Sequence, residues 1–521
     1  MVLTALLAGA SSALAHPERA TQFPDPAKGS VPKYRHARAP LVVCKGDSRR
    51  LIRKAYRGRA RARAKRMRLR RLEHCRFRHI QAAVDHARSG DRIQIMPGVY
   101  RERPSRRVPV DQAKCASMFE VPDDGDAKVA TYEHQVKCPN SRNLIAIVGD
   151  SLSDADRECD HRCNLLVEGM GRRPRDVRIV GDRLKKDVIR ADRADGFFLR
   201  NVWVEQGAFN DVDVVETNGF RLSRLVTPYG QNYGVLTFAS DHGLYDRIEA
   251  FGNGDSGIYP GSGPEGHCKR YGIEIRNVDS HDNVLGYSGT AGNGTWTHHS
   301  RFHDNNAGIS DDSFASGHPG MPQDCSKWTD NRVNSNNRNF FTDDRDTYCR
   351  NTPFEKRRRT IVCPQFQVPV GSGFILYGVN ANLIQDNRIY DNWRSGVRLF
   401  WVPAAVRGDN DPAHQFDTSN GNRFIGNELG VDARGRRRPN GIDFFWDEQG
   451  VGNCWRGNTA PGGAVTSDPA TLPQCPEGSM FPQSPAPEKF AAEVPCAAWD
   501  PDRMPDPPGC TWFTTPPRPA R

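Results

Sequence analysis

No stretch of the 521-residue chain holds about 18 consecutive apolar residues, so nothing in it predicts a membrane-crossing helix. Low-complexity disorder is excluded as well. The 48 Gly and 37 Pro make up about a sixth of the chain, below the roughly 25–30% that marks such sequences, and an apolar share of 37% suffices for a core. Nucleotide-binding spacing is absent, because the Gly-rich stretches 261–263 and 289–294 lack a following helical pattern and read as loops. Aromatic residues are scarce in the basic run from Arg49 to Arg78, where 15 Lys or Arg meet one acid, Glu73, and only Tyr56 and Phe77 could stack on a base. That scarcity argues against nucleic acid and leaves a solvated arm or helix, or a grip on an anionic envelope polymer through residues 49–78.

What is present points outside the cell. Val2 to Ala10 is apolar, and Ala13-Leu14-Ala15 has the small-x-small form of a cleavage site, which predicts a signal peptide over 1–15 and a secreted or cell-surface protein. Fourteen Cys, an even number, suit disulfides in that setting. Local pairs are expected between Cys115 and Cys138, Cys454 and Cys475, and Cys496 and Cys510. Cys159-Asp160-His161-Arg162-Cys163 lacks a standard zinc spacing and reads as a disulfide. Residues 16–78 are expected as a basic arm. Residues 461–521, with 15 of the 37 Pro and three Cys, are expected as an extended, disulfide-clipped tail.

The middle is repetitive. Asn201-Val-Trp-Val, Arg224-Leu-Val-Thr, Arg247-Ile-Glu-Ala, Asn277-Val-Asp-Ser and Ser300-Arg-Phe-His read as equivalent short strands whose openers stand 23, 23, 30 and 23 residues apart, and Asn331-Arg-Val-Asn, Asn387-Arg-Ile-Tyr and Asn422-Arg-Phe-Ile extend the series. Eight to ten residues after most of them comes a Gly-led strand: Gly234-Val, Gly257-Ile, Gly286-Tyr, Gly308-Ile and Gly396-Val. A period near 23 with short strands and polar turns predicts a solenoid whose coils bury their faces by stacking. Of the 30 Asn, 27 lie at or beyond Asn201, as Asn-rich turns repeating along a stack require.

Ahead of the repeats, Ile80-Gln-Ala-Ala-Val84, Ser89-Gly-Asp-Arg-Ile-Gln-Ile95 and Pro97-Gly-Val-Tyr100 resemble the opening segment of right-handed parallel β-helix proteins of the pectate-lyase-like superfamily. The resemblance implies an all-β fold: a single right-handed parallel β-helix with an N-terminal capping helix and an irregular Pro-rich C-terminal tail. Cap and first coils would occupy 79–195 and the core 196–460. Because that superfamily holds lyases, glycoside hydrolases, epimerases and secreted proteins without an assigned reaction, it implies an extracellular polysaccharide as partner and leaves the reaction open. The rival is a non-catalytic cell-envelope or adhesion scaffold. A monomer is expected.

Aligning the second strands on their Gly predicts which side chains point inward: Val235, Ile258, Tyr287, Ile309 and Val397. Position five then reads Phe238, Gly261, Thr290 and Asp312 on the outside, and Asp344 follows if Phe340 takes the Gly slot of the next coil. Position four adds Asp311 and Asp343. Two stacked Asp pairs would need a raised pKa, a cation or a partner such as Arg345. Three readings stay open: solvated turn residues, a calcium site using Asp312 and Asp344, or acid–base chemistry on a sugar. Seven of the 15 His fall within 242–318, and His242, His267 and His318 are candidates for the margin of that site. Asp279-Ser-His281-Asp282 looks like an alginate-epimerase motif, but His303-Asp-Asn305 occupies the same turn of another coil, which favours a repeat feature. Asp311-Asp312 with Gly317-His318 is similar to polygalacturonase elements, yet five residues cannot span a coil. Tyr259, Trp296, Trp328, Phe400, Trp401 and Trp446 are read as aromatic residues near turns, where sugar stacking and core packing compete for them.

Overall fold

The fold was analysed in a computed structural model that describes residues 18–520 apart from 33–38, 109, 111, 122–127, 154–157, 315–317, 462, 481–486, 494, 497–498 and 501–505. The signal peptide expected over 1–15 and Gly317 lie outside the described residues. Two compact units divide the chain: 18–122 with 126–250, and 251–521.

In each unit the chain visits three faces in fixed order, and the strands of these faces pair in parallel with their counterparts one coil on, whereas Phe119–Glu120 and Val129–Ala130 form a separate antiparallel pair. In the first unit, face I includes Arg92–Ile95, Leu166–Gly169, Phe198–Arg200, Asn218–Ser223 and Asp241–Asp246. Face II includes Gly98–Tyr100, Val177–Val180, Trp203–Glu205 and Val226–Pro228. Face III includes Asn143–Val148, Asp187–Asp192, Asn210–Val215 and Tyr233–Phe238. The second unit repeats the scheme. Face I runs from Ile273–Arg276 to Cys454–Arg456, face II from Asp279–His281 to Glu428–Leu429, and face III from Ser256–Gly261 through Ala307–Asp312 and Ser372–Tyr377 to Phe444–Trp446. This is a parallel β-helix.

The corner between faces I and II explains the repeated openers. Asn201, Arg224, Arg247 and Asn277 sit in the left-handed region, with φ of 55, 53, 56 and 53°, and the face II strand begins two residues later. The openers therefore make the turn rather than the strand. Asn tolerates that conformation because its short amide bonds locally, whereas Arg adopts it at a cost that the flanking strands cover.

Buried amide ladders run beside the core. Asn283 Nδ2 donates to Asn305 Oδ1 at 3.2 Å, Asn305 to Asn336 at 3.1 Å, Asn336 to Asn392 at 3.0 Å and Asn392 to Asn440 at 3.2 Å. A second ladder links Asn331, Asn387, Asn427 and Asn458. Inside, Val235, Ile258, Tyr287 and Ile309 are fully buried and Val397 nearly so, as the Gly alignment predicts, and Phe374 joins them. Trp328 packs edge-on to Tyr287 at 4.5 Å and to Phe374 at 5.7 Å.

The helix Ile80–His86 buries Ile80 and Val84, with Ala87 just beyond its end, and its first free N–H groups, on Ile80 and Gln81, donate to the Glu102 carboxylate at 3.0 Å each. The basic run, read as a solvated arm or helix, forms the helices Ser48–Ala55 and Ala62–Glu73. Ile52 and Tyr56 pack with Met96 and Met170, Arg68 lies over the Tyr56 ring, and Cys44 bonds to Cys75. All 14 Cys are paired, including the three local pairs and Cys159–Cys163. Among the described residues no helix is long and apolar enough to cross a membrane.

Candidate functional site

The predicted acidic centre maps to face III of the unit 251–521. Since Ile258, Tyr287 and Ile309 point into the core, the period of two puts Tyr259, Ser288 and Ser310, and then Thr290 and Asp312, on the outer side. Asp311 shares the parity of Ile309 and points inward, so the two carboxyls do not form an outer pair. Both are buried, Asp311 fully and Asp312 with 1% exposure, where solvated turn positions would be open.

Asp312 is held by three donors. Thr290 Oγ1 reaches Oδ1 at 3.0 Å, the Phe314 N–H reaches the same oxygen at 3.3 Å, and Ser310 Oγ reaches Oδ2 at 3.3 Å. Burial pushes its pKa up to about 6, with those hydrogen bonds pulling the other way. Across the same surface the Tyr259 hydroxyl lies 3.3 Å from His318 Nε2. Burial drives the Tyr259 phenol well up, so it is a neutral donor at any working pH. Asp311 has no hydrogen bond of good geometry to either oxygen. Burial and then the Asp312 charge hold it neutral, with the Ser326 hydroxyl alongside. A Cβ on Gly289 would stand 2.5 Å from Asp311 Oδ1, so that close approach requires glycine.

The remaining candidates separate from this cluster. Asp343 and Asp344 open a helix, Asp343–Asn351, inside an insertion, and their charges suit its N-terminal turn. The next coil's strand is Ser372–Tyr377, with Asp311 opposite Leu376 and Asp312 opposite Tyr377. The expected stacking of two Asp pairs is thus overturned: Phe340-Phe341-Thr342-Asp343-Asp344 imitates the Gly-led pattern without joining the sheet. Arg345 donates to the Val362 carbonyl rather than to the Asp pair. His267 is exposed, with Glu265 3.6 Å away. His242 lies in the other unit, at a left-handed turn, with Nδ1 2.9 Å from Asn218 Oδ1. His281 and His303 stack at 5.3 Å, each bonded to the Asp that follows it, which is the repeat feature expected of the Asp-Ser-His-Asp turn. Of the aromatic residues read as near turns, Tyr259, Trp328, Phe400, Trp401 and Trp446 are buried, and Trp296 is half-buried.

Calcium does not fit here. The Asp312 oxygens already accept three protein hydrogen bonds in a setting that favours the protonated acid, Asp344 sits on the inserted helix, and Asp311 faces the core. A calcium ion needs six to eight oxygens, which this donor set does not supply.

Sequence reasoning missed what covers face III further along. Phe341 packs on Trp499 and Phe513, Arg398 bonds Glu493 at 2.5 Å and the Tyr377 hydroxyl at 3.2 Å, and Trp512 donates to Glu493. The signal was three aromatic residues, Trp499, Trp512 and Phe513, in a Pro-rich tail with no other place to bury them.

The strand pairing defines the class: a parallel β-helix. No family model matches the chain, and no curated protein matches it in sequence. Among solved structures it is similar to the mannuronan C-5 epimerase AlgE4 A-module of Azotobacter vinelandii, with 12% identity over 74% of this chain and 94% of that one and a TM-score of 0.40. It is also similar to an alginate lyase from Paenibacillus sp. str. FPU-7, with 11% identity over 78% and 95% and a TM-score of 0.37. A third similar structure is the pectate lyase Pel9A, with 11% identity over 78% and 83% and a TM-score of 0.30. At these distances the likeness concerns the fold alone.

Proposed function

We propose that this chain is an extracellular protein that binds and processes a polysaccharide at face III around Tyr259, Thr290, Asp312 and His318. Seven disulfides support an oxidising compartment. The observation that carries the reading is an outward carboxyl with a pKa of about 6 beside a tyrosine–histidine pair. Glycoside hydrolysis needs two carboxyls flanking one bond, and of the pair Asp311 and Asp312 one alone, Asp312, faces outward. Proton abstraction beside a sugar carboxylate, leading to elimination or epimerisation, needs one base and one acid. His318 serves as the base, and Tyr259, bonded to it, orients the ring. Protonated Asp312 hydrogen-bonds the sugar carboxylate or returns the proton. Because Asp312 is 1% exposed, a sugar reaches it only when the side chains above it shift.

The test incubates the full chain with a panel of polyuronates and neutral glycans. Elimination is followed by ultraviolet absorbance of the unsaturated product and epimerisation by NMR. Asp312→Asn should lower turnover by about 10²–10⁴-fold. Turnover should also fall as pH rises through about 6, where the acid loses its proton. A chain inert on every polyuronate, or an Asp312→Asn variant at full rate, sinks the reading in favour of the scaffold.

A further inference from the structure

A different face carries a second pattern. On face II of the unit 251–521, the second residues Ser280, Phe302, Val333, Ile389 and Leu429 are fully buried, so the first residue of each strand, and the third in the three-residue strands, points outward. The first residues read Asp279, Arg301, Arg332, Arg388 and Glu428, each opposite the next in register. Three guanidinium side chains are thereby rooted on successive strands about 4.8 Å apart, an arrangement of like charges that destabilises a sheet unless something compensates.

Among the described residues, ion pairs compensate the ladder only at its ends. Arg301 lies 3.6 Å from Asp279, and Arg388 Nε donates to Glu428 at 2.7 Å. Arg332, between them, is exposed and forms no ion pair among the described residues. The turn residues ahead of it do not fill the role: Asp330 is exposed without an ion pair among the described residues, and Asp386 accepts from the Gln385 amide at 3.0 Å. Elsewhere the chain surrounds an arginine with acids, as at Arg190, so the omission is local. Beside the ladder the third residues add His303, bonded to Asp279 at 2.8 Å, and Tyr390, whose hydroxyl lies in the field of Asp432 and of all three arginines.

We propose that Arg301, Arg332 and Arg388 form a binding site for a linear acidic polysaccharide, laid across the strands of face II so that its successive carboxylate or sulfate groups meet successive arginines. The guanidinium fork matches either planar or tetrahedral oxyanions and holds them with two parallel hydrogen bonds. Arg332 is the central anchor, the acids Asp279 and Glu428 bound the track, and the Tyr390 ring flanks the sugar. The site is independent of the chemistry assigned to Asp312.

The experiment is native gel electrophoresis of the full chain through gels containing a polyuronate, a sulfated glycan or a neutral glucan. The two acidic gels distinguish carboxylate from sulfate as the ligand group, and both should retard the protein while the neutral gel does not. Arg332→Gln should weaken retention by about tenfold in apparent Kd, and Arg332→Lys should recover only part, since an ammonium lacks the fork. The control is Arg63→Gln with Arg66→Gln on the exposed basic helix, which should change retention less. Thermal melting without ligand should leave Arg332→Gln at or above the parent Tm, because a like-charge contact is removed. The proposal is overturned by retention unchanged in Arg332→Gln, by equal loss in the Arg63/Arg66 control, or by a lowered Tm that marks the arginine as structural. Asp312→Asn should be retained normally. If it is inert yet retained, both readings stand, whereas loss of retention in that variant moves the binding to face III and removes this one.

Discussion

Face III is closed differently in the two units. In the first, the outer side is charged: Arg190 meets Asp192 at 2.9 Å, Asp213 at 2.7 Å and Glu18 at 2.9 Å. Residues 18–32 lie over this surface. Arg19 pairs with Asp192 and Glu216, Gln22 donates its N–H to Glu216, and Phe23 packs on Val215 and Phe238. In the second unit the cover is apolar, with Phe341, Trp499 and Phe513 gathered in one cluster with Ile375, Tyr377 and Phe400. One backbone scheme therefore accepts either closure, because only the outward positions change while the inward ones stay apolar. Charge specifies a single docked geometry for residues 18–32, whereas apolar packing buries more surface with less directional demand.

The sharpest way to break this contrast is Arg190→Ala. Removing this buried cation takes an ion-pair partner from Glu18, Asp192 and Asp213, of which Asp192 keeps Arg19, and unfolding in denaturant should show a loss of about 3–5 kcal/mol. A loss under about 1 kcal/mol would mean that the charged closure contributes little.

Next in size is Asp312→Asn, read against pH. The folded carboxyl titrates near 6 and the unfolded one near 3.8, so between those values the folded state binds more protons and wild-type stability falls as pH rises. The variant lacks this term. Its advantage over wild type should grow from about pH 4 to about pH 6 by up to about 3 kcal/mol and then level off, as measured by denaturant midpoints at each pH. A pH-independent difference would show that the acid is not held neutral. The smallest effect tests the other end of the 18–32 segment. Lys28 pairs with Glu158, both well exposed, and Lys28→Ala should change stability by less than about 0.5 kcal/mol.

Much of this was legible in the sequence because a coil is a local object. Asn201 and Asn277, the glycine near the start of a face III strand and the inward Ile258 and Ile309 each fall at a fixed offset, so periodicity alone gave the repeat of coils, the inward parity and the placing of Asp312 outside. Asp343 and Asp344 were misplaced because an insertion can copy a coil's local pattern, and only the pairing of Ala307–Asp312 with Ser372–Tyr377 distinguishes the copy from the coil. The covers were illegible for the opposite reason. Phe23, Trp499 and Phe513 approach face III from far along the chain with no period to announce them. The three arginines each follow an opener, Ser300, Asn331 or Asn387, but they stand 31 and 56 residues apart, so no fixed period shows that they lie in register.

The amide ladder has a consequence for how this molecule can be altered. Asn283 and Asn305 are 22 residues apart and Asn336 and Asn392 are 56 apart, yet the contacts measure 3.2 and 3.0 Å. Phase is therefore counted in turns and not in residues, and the scaffold does not register how much chain is spooled out between two rungs. Foreign sequence spliced into the 340–365 excursion would leave the rungs above and below in step, which makes that excursion a port for grafting new recognition onto an unchanged frame.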